Sequence, residues 1–264
     1  MSNSPTILTE FSEGVQTITL NRPERANAIN TEMALATLTT LKTAEHEKRV
    51  RSVLLAGSGD FFSSGQDLAE SEQPWEISYQ DHLQKTYNPL ILQIRRMQKP
   101  IIAALKGTVA GAALGIALAC DLRIAAKSTQ FQVGFSGIGL ALDSAVSLLL
   151  PTIIGLGRAS ELAFTNAAFS AEQALEWGMI NRIVPAKELQ DRALEWAQEL
   201  ASGPTRAIGL TKLTLNKGVL PNLVAALDYE AYTQEIAKLG KEHREGLRAF
   251  LEKRKPIFKG SDEE

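Results

Sequence analysis

The sequence contains very few of the residues that disulfides and metal centres require. Cys120 is its only cysteine, which excludes an intrachain disulfide, and we interpret it as a filler of the protein core. The histidines are His46, His82 and His243, which lie far apart and form no HxxH spacing. These absences argue against metal catalysis, and we expect no metal ion.

Long apolar runs and a strong net charge are also absent. The longest apolar stretches, such as residues 110–120, are shorter than the ~20 residues that a membrane-spanning helix needs. The net charge is −2, and the first ten residues, MSNSPTILTE, lack the basic and apolar regions of a signal peptide. We therefore expect a cytoplasmic protein that binds neither nucleic acid nor membranes.

The order of the predicted elements indicates an α/β fold. Hydrophobic residues make up 44% of the sequence, which is enough for a sizeable core. Short apolar runs predict strands in the first half, for example at 50–56 and 101–105, and helical patterns lie between them. From about residue 186 the pattern is mainly helical. We predict an α/β core at 1–200, followed by a helical region at 201–264.

Two loops of small residues have the composition of a site that binds an oxyanion. Residues 63–67 (SSGQD) follow the predicted strand 50–56, and residues 110–113 (AGAA) stand at the start of a predicted helix. Small residues let a backbone approach a ligand closely, and converging N–H groups can polarise a thioester or amide carbonyl. Ordinary turns have similar compositions, so both interpretations stay open. The glycine pattern matches neither GxGxxG nor GxxxxGK[ST], which argues against a nucleotide-phosphate loop.

Asp143 is an isolated acid in an apolar stretch. It lies within the sequence LALDSAV, where burial would favour the neutral form and suit a proton carrier. It also precedes a predicted short helix at 144–150, which we expect to end at Pro151. Asp143 is therefore a candidate for proton transfer or for capping that helix.

Six segments, taken in order, form a more specific pattern. They are residues 21–28 (NRPERANA), 62–68 (FSSGQDL), 99–121, 150–155, 170–178 and 250–256 (FLEKRKP). Together they resemble the crotonase superfamily, the enoyl-CoA hydratase/isomerase family, and the resemblance covers nearly the whole chain.

The resemblance implies a spiral of repeated ββα units and an acyl-CoA thioester as ligand. It implies no cofactor beyond the coenzyme A of the substrate, and a homotrimer or dimer of trimers formed through the helical region 201–264. By position, the oxyanion N–H groups would belong to Gln66 and Ala112. Coenzyme A would be contacted at four further residues, which are Ala26, Ala28, Phe250 and Lys253. From the local sequence alone, Lys253 can equally be a solvated charge in a basic tail.

The resemblance also indicates which reaction the site can catalyse. Hydratases of the family carry two glutamates that handle water, and these positions fall at Gly115 and about Phe135, which cannot move a proton. Residues 138–144 are similar to the acid-bearing segment of the 1,2-epoxyphenylacetyl-CoA isomerase and enoyl-CoA isomerase branch. We therefore expect isomerisation of an enoyl-CoA or epoxyacyl-CoA, with Asp143 as proton shuttle.

Three alternatives remain at this point. They are a hydratase, as the general family label suggests, an aryl-CoA dehalogenase and a non-catalytic acyl-CoA-binding protein. The sequence at 143–147 loosely matches the dehalogenase, although Phe135 stands where that enzyme has tryptophan. The acyl group is not specified. Aromatic residues that could line its pocket, or simply pack, are Trp75, Tyr79, Tyr87 and Phe135.

Overall fold

The computed structural model describes residues 4–70 and 77–258. Within these residues, a six-stranded sheet forms the centre of the molecule. In spatial order its strands are β1 (Ile7–Ser12), β2 (Val15–Leu20), β3 (Ser52–Gly57), β4 (Ile101–Leu105), β6 (Leu122–Ala126) and β9 (Arg182–Val184). The first pair is antiparallel and all other neighbours are parallel.

A smaller sheet lies beside the large one and completes a repeated ββα arrangement. Its strands are β5 (Thr108–Ala110), β7 (Gln130–Gln132) and β8 (Phe169–Ser170). β4 leads directly into β5 and then α4 (Ala112–Ala119), while β6 leads into β7 and then α5 (Val146–Ile154). This arrangement confirms the predicted α/β fold.

The remaining helices pack against the sheets or against one another. They are α1 (Thr31–His46), α2 (Tyr79–Lys85), α3 (Tyr87–Arg96), α6 (Leu156–Thr165), α7 (Ala171–Glu176), α8 (Leu189–Ser202), α9 (Thr205–Val219), α10 (Leu223–Lys238) and α11 (Lys241–Leu251). Successive residues of β3 point to opposite faces. Val53 and Leu55 belong to the main core, whereas Leu54 and Ala56 pack in a second core that includes residues of α8. None of the helices in the described ranges is long and apolar enough to cross a membrane.

The C-terminal helices take part in the main core. Leu223, Leu227 and Ala231 of α10 are buried in it together with residues of α1, α3 and α4. The boundary at residue 200 stays a prediction, but residues beyond it help to build the part of the molecule that contains the candidate acid.

The helix that follows the candidate acid differs from the predicted helix 144–150 at both ends. It starts two residues later because Ser144 and Ala145 adopt left-handed backbone conformations, with φ of 55° and 63°. It also continues through Pro151 instead of ending there. A proline at this position removes the helical donor for the Ser147 carbonyl. Ser147 is exposed, so water can bond to that carbonyl in place of the missing N–H.

Candidate active site

The two loops of small residues lie side by side. Gly65 is so close to the other loop that a methyl group on its α-carbon would lie 2.8 Å from the Ala110 carbonyl oxygen and 3.7 Å from the Ala112 nitrogen. Gly65 and Gly111 have φ of 101° and 55°, which glycine adopts without steric cost. Glycine at both positions therefore lets the two backbones approach each other at the N-terminus of α4.

Gln66 and Ala112 present backbone N–H groups at this junction. Ile29 forms a parallel bridge with Gln66, in which it bonds to the Gly65 carbonyl at 2.8 Å and to the Asp67 N–H at 2.9 Å. This bridge leaves the Gln66 N–H without an acceptor in the described part of the chain. Ala112 is the first residue of α4, where N–H groups lack an intrahelical acceptor.

Residues of the segment 21–28 hold the loop 63–67 in place. Arg22 donates from Nη1 to Asp67 Oδ2 at 2.8 Å and to the Ala28 carbonyl at 2.7 Å. Asn27 is buried, and its side-chain amide donates to two carbonyls of the loop that follows β3. The two sequence motifs are therefore physically coupled, because one shapes the backbone of the other.

Asp143 is buried at the turn before α5, with 5% of its surface exposed. Each carboxylate oxygen accepts one hydrogen bond. Ser144 Oγ donates to Oδ1 at 2.7 Å, and Gln234 Nε2 of α10 donates to Oδ2 at 2.7 Å. Burial raises the pKa of Asp143 to about 7 with a further increase from the Glu230 charge, while the bonds from Ser144 and Gln234 act in the opposite direction. The group can thus gain and lose a proton near neutral pH.

The alternative that Asp143 merely caps α5 is wrong. Its side chain bonds to no N–H group of that helix. The capping carboxylate is Glu230 of α10, which accepts the Ala145 N–H at 2.7 Å and the Ser147 N–H at 2.9 Å. The carboxylate of Asp143 remains available for chemistry.

A cavity of about 680 Å³ brings most of the predicted site residues together. The predicted residues that line it are Gln66, Ala112, Asp143, Ala28, Phe250 and Lys253. Asp67 is the other carboxylate lining this cavity among the described residues, and it is paired with Arg22. Asp143 is therefore the carboxylate that faces the cavity without a cationic partner.

One predicted ligand contact is not among the residues that line this cavity. Ala26 lies beside it, in a left-handed conformation, and its carbonyl accepts the Ser64 N–H at 3.1 Å. The preceding residue, Arg25, lines the cavity instead. Together with Lys253, it places a second cationic side chain at this cavity.

Gly115 and Phe135 contribute no acid to the cavity. Gly115 packs against the turn that carries Asp143, and a methyl group there would lie 2.4 Å from the Ser144 carbonyl oxygen. Phe135 is buried and lines the cavity as an apolar wall.

The other aromatic candidates have different surroundings. Tyr79 lines a neighbouring cavity of about 370 Å³ that also reaches Gln66, whereas Tyr87 packs in the core. Trp75 lies outside the described residues. His243 Nδ1 lies 2.9 Å from the Ile138 carbonyl, so Nδ1 carries the hydrogen and Nε2 accepts from the Tyr79 hydroxyl at 3.0 Å.

Glu230 and Gln234 of α10 are not among the site residues predicted from the sequence. Glu230 and Gln234 occupy the buried face of this helix, in line with Leu223, Leu227 and Ala231. Polar residues that recur at the spacing of an apolar stripe, here Glu230 and Gln234 and then Lys238, are the sequence signal that points to them.

Residues 10–261 match the family model described as enoyl-CoA hydratase/isomerase. The chain belongs to this family. It is 40% identical over 257 residues to the 1,2-epoxyphenylacetyl-CoA isomerase of Escherichia coli strain K12, covering 96% of this chain and 98% of that one.

Other members of the enoyl-CoA hydratase/isomerase family show that one fold serves several reactions. A 4-chlorobenzoyl coenzyme A dehalogenase of Arthrobacter is 35% identical over 240 residues, with coverage of 90% and 87%. The crystal structure of an enoyl-CoA hydratase from Mycobacterium avium subsp. paratuberculosis has a TM-score of 0.88 at 29% identity, with coverage of 96% and 98%. Membership therefore establishes an acyl-CoA enzyme family, and the reaction must be argued from the site.

Proposed function

We propose that this protein isomerises an enoyl-CoA or epoxyacyl-CoA thioester, with Asp143 as the group that moves the proton. The observation that supports this most strongly is the shared cavity. A buried carboxylate with a pKa of about 7 lines the same space as the two N–H-bearing residues, Gln66 and Ala112. The similarity to an epoxyacyl-CoA isomerase supports the same choice.

For an enoyl thioester, the proposed reaction is a proton transfer between two carbons. The Asp143 carboxylate removes a proton from the carbon beside the thioester carbonyl, and the electron pair moves into the carbonyl to give an enolate. The N–H groups of Gln66 and Ala112 stabilise that oxyanion, each contributing about 3–4 kcal/mol to lowering the barrier. The protonated Asp143 then delivers the proton to the γ-carbon, at the far end of the original double bond. The enolate electron pair moves back to restore the thioester carbonyl, and the double bond now joins the α- and β-carbons, so that atoms and electrons balance.

The coenzyme A part of the substrate would occupy the outer end of the cavity. Arg25 and Lys253 supply positive charge for its phosphates, and Ala28 and Phe250 supply the backbone and apolar surface. Phe250 and Lys253 line the cavity of their own chain. Ala26 does not line the cavity, so its proposed contact with coenzyme A would be made by its backbone, next to Arg25.

Hydration is disfavoured because the described residues that line the cavity include only one suitable acid. Adding water across a double bond needs groups that both activate the water and protonate the carbon. Gly115 and Phe135 supply neither, and Asp67 is paired with Arg22.

A substrate panel tests the proposed function. We expect the purified protein to convert a 3-enoyl-CoA or an epoxyacyl-CoA into its isomer at least about 100-fold faster than it hydrates a 2-enoyl-CoA. The conjugated 2-enoyl product is followed by absorbance and the epoxide product by chromatography. Faster hydration, chloride release from 4-chlorobenzoyl-CoA, or tight acyl-CoA binding without any turnover would each overturn the proposal.

We also propose that the chain assembles as a homotrimer or dimer of trimers. Its C-terminal helices expose large apolar side chains, each with more than half of its surface accessible, namely Leu215, Tyr229, Tyr232, Ile236 and Leu239. Light scattering after gel filtration is expected to give about 86 kDa, three times the 28.7 kDa of one chain, or twice that mass. A stable mass of 28.7 kDa at micromolar concentration would contradict this expectation.

A further inference from the structure

Two polar side chains of α10 hold the acid-bearing turn from one side. Glu230 accepts two N–H groups of the turn and of α5, and Gln234 donates to Asp143 Oδ2. The two residues are four apart, so their side chains lie on the same face of the helix. Both are almost completely buried, with 3% and 1% of their surface exposed. Neither lines the cavity, so neither is placed to touch the substrate.

The turn needs such support because its backbone is strained. Ser144 and Ala145 are consecutive non-glycine residues in left-handed conformations, with φ of 55° and 63°, which residues with a side chain adopt only at a steric cost. Such a conformation persists only where its surroundings hold it. The bonds from Ala145 and Ser147 to Glu230 provide that restraint at the point where the chain enters α5.

Gln234 has an additional property that bears on proton transfer. Its Oε1 is buried and has no hydrogen-bond partner in the described structure, although its Nε2 is bonded to Asp143. A buried acceptor without a partner is costly. Rotation of the side-chain amide would let Oε1 accept the hydroxyl of protonated Asp143, so the same residue can hold the acid in both of its protonation states.

We propose that Glu230 and Gln234 are positioning residues for the reaction, Glu230 fixing the backbone of the acid-bearing turn and Gln234 holding the reacting carboxyl group. This inference rests on the proposed role of Asp143. It assigns to α10 a function in the chemistry that the family signature at residues 21–28, 62–68 and 99–121 does not contain.

The two residues have opposite effects on the protonation of Asp143. The hydrogen bond from Gln234 lowers the pKa of Asp143, whereas the charge of Glu230 raises it. Other titratable groups that interact with Asp143 are Tyr79 of α2 and Tyr87 of α3. Burial raises the pKa of both hydroxyls above their usual value of 10.0, so neither ionises in the neutral range. Burial lowers the pKa of His243, the partner of Tyr79, so this histidine is neutral at pH 7. Burial also raises the pKa of Glu230, whose charge acts on Asp143. The acid limb of the rate profile should therefore report on the coupled pair of Asp143 and Glu230, and Glu230→Gln leaves Asp143 as the titrating member of that pair.

The experiment measures kcat/KM for isomerisation between pH 5.5 and 9 in three variants. Gln234→Met keeps the side-chain length but removes the donor, so we expect the acid limb to move up by about one pH unit. The ratio of kcat/KM at pH 6 to kcat/KM at pH 9 should then be about tenfold lower than the same ratio in the wild type, with KM nearly unchanged. Glu230→Gln removes the charge that raises the pKa of Asp143, so the acid limb should move to lower pH. It also weakens the bonds to the Ala145 and Ser147 N–H groups, so kcat should fall. Gln84→Met, on the exposed surface of α2, is the matched control and should change neither.

The outcomes separate this inference from the proposed function. If Gln234→Met and Glu230→Gln both fold and leave the acid limb and kcat unchanged, the positioning role is overturned while Asp143 can still be the proton carrier. The same holds if both variants move the limb in one direction, because a general loss of packing would do that. If the wild type shows no isomerase activity at all, the proposed function itself has failed.

Discussion

Replacing Gly115 with glutamate is expected to abolish isomerisation without producing a hydratase. The first atom of any side chain at this position would lie 2.4 Å from the Ser144 carbonyl oxygen and 2.6 Å from Ser144 Cβ. Contacts this short require the Asp143 turn to move. Since misplacement of a reacting group by about 1 Å can cost 10²-fold in rate, we expect kcat to fall by at least about 100-fold.

A control variant with the same substitution elsewhere distinguishes the effect of position 115 from the general effect of adding a negative charge. Gly157→Glu introduces the same side chain in α6, at an exposed site where, apart from its chain neighbours and the backbone of its own helix, no atom of the described residues lies within 4 Å of the added carbon. This control should keep wild-type rates in both assays. Appreciable isomerase activity in Gly115→Glu, or new hydration of a 2-enoyl-CoA at a rate close to wild-type isomerisation, would show that Gly115 does not position the acid.

Asp143→Asn is expected to lower kcat by about 10²–10⁴, the usual contribution of one general base. The amide cannot accept a proton, yet it can keep hydrogen bonds with Ser144 and Gln234, so the cavity should retain its shape. Binding of a non-reactive acyl-CoA, measured by calorimetry, should change less than threefold. A large loss of binding would indicate that Asp143 serves the cavity structurally instead of moving the proton.

The same variant should be more stable than the wild type at alkaline pH. The pKa of Asp143 rises from its usual 3.8 to about 7 in the folded state, so the folded protein holds the proton over that interval. Between pH 4 and 7 the unfolded chain releases this proton while the folded protein keeps it, so the free energy of unfolding falls as the pH rises. Above pH 7 both states are ionised, and the destabilisation stays constant. The melting temperature of Asp143→Asn should exceed that of the wild type at pH 8, and the difference should shrink towards pH 4. This measurement also shows that the variant is folded.

Local sequence signals predicted the elements and loops whose structure depends on near neighbours. The sequence SAEQ at residues 170–173 is typical of a capping box, and Ser170 and Gln173 form one, with reciprocal bonds of 3.0 and 3.3 Å. Gly65 and Gly111 lie where the loops must come together, because only glycine adopts those conformations at no cost. In both cases the determining interactions lie within a few residues or follow from the residue type.

The surroundings of Asp143 could not be predicted in this way. Gln234 is 91 residues away along the chain, and Glu230 is 85 residues from the Ala145 N–H that it accepts. Neither contact leaves a local pattern near the acid. The sequence DSAVS is also typical of a helix start with an aspartate cap, and neither Ser144 nor Ala145 favours the left-handed conformation that it adopts. Tertiary contacts from α10 overrode this local preference.

The single-turnover rate of Asp143→Asn tests the central claim most directly. Excess enzyme is mixed with a 3-enoyl-CoA at pH 8, where wild-type Asp143 is mostly ionised, and formation of the conjugated product is followed by stopped-flow absorbance. Because substrate binding is saturated and product release is not observed, the rate reports proton transfer alone. We predict a rate at least about 100-fold below that of the wild type. A rate equal to the wild type would contradict the assignment of Asp143 as the proton carrier.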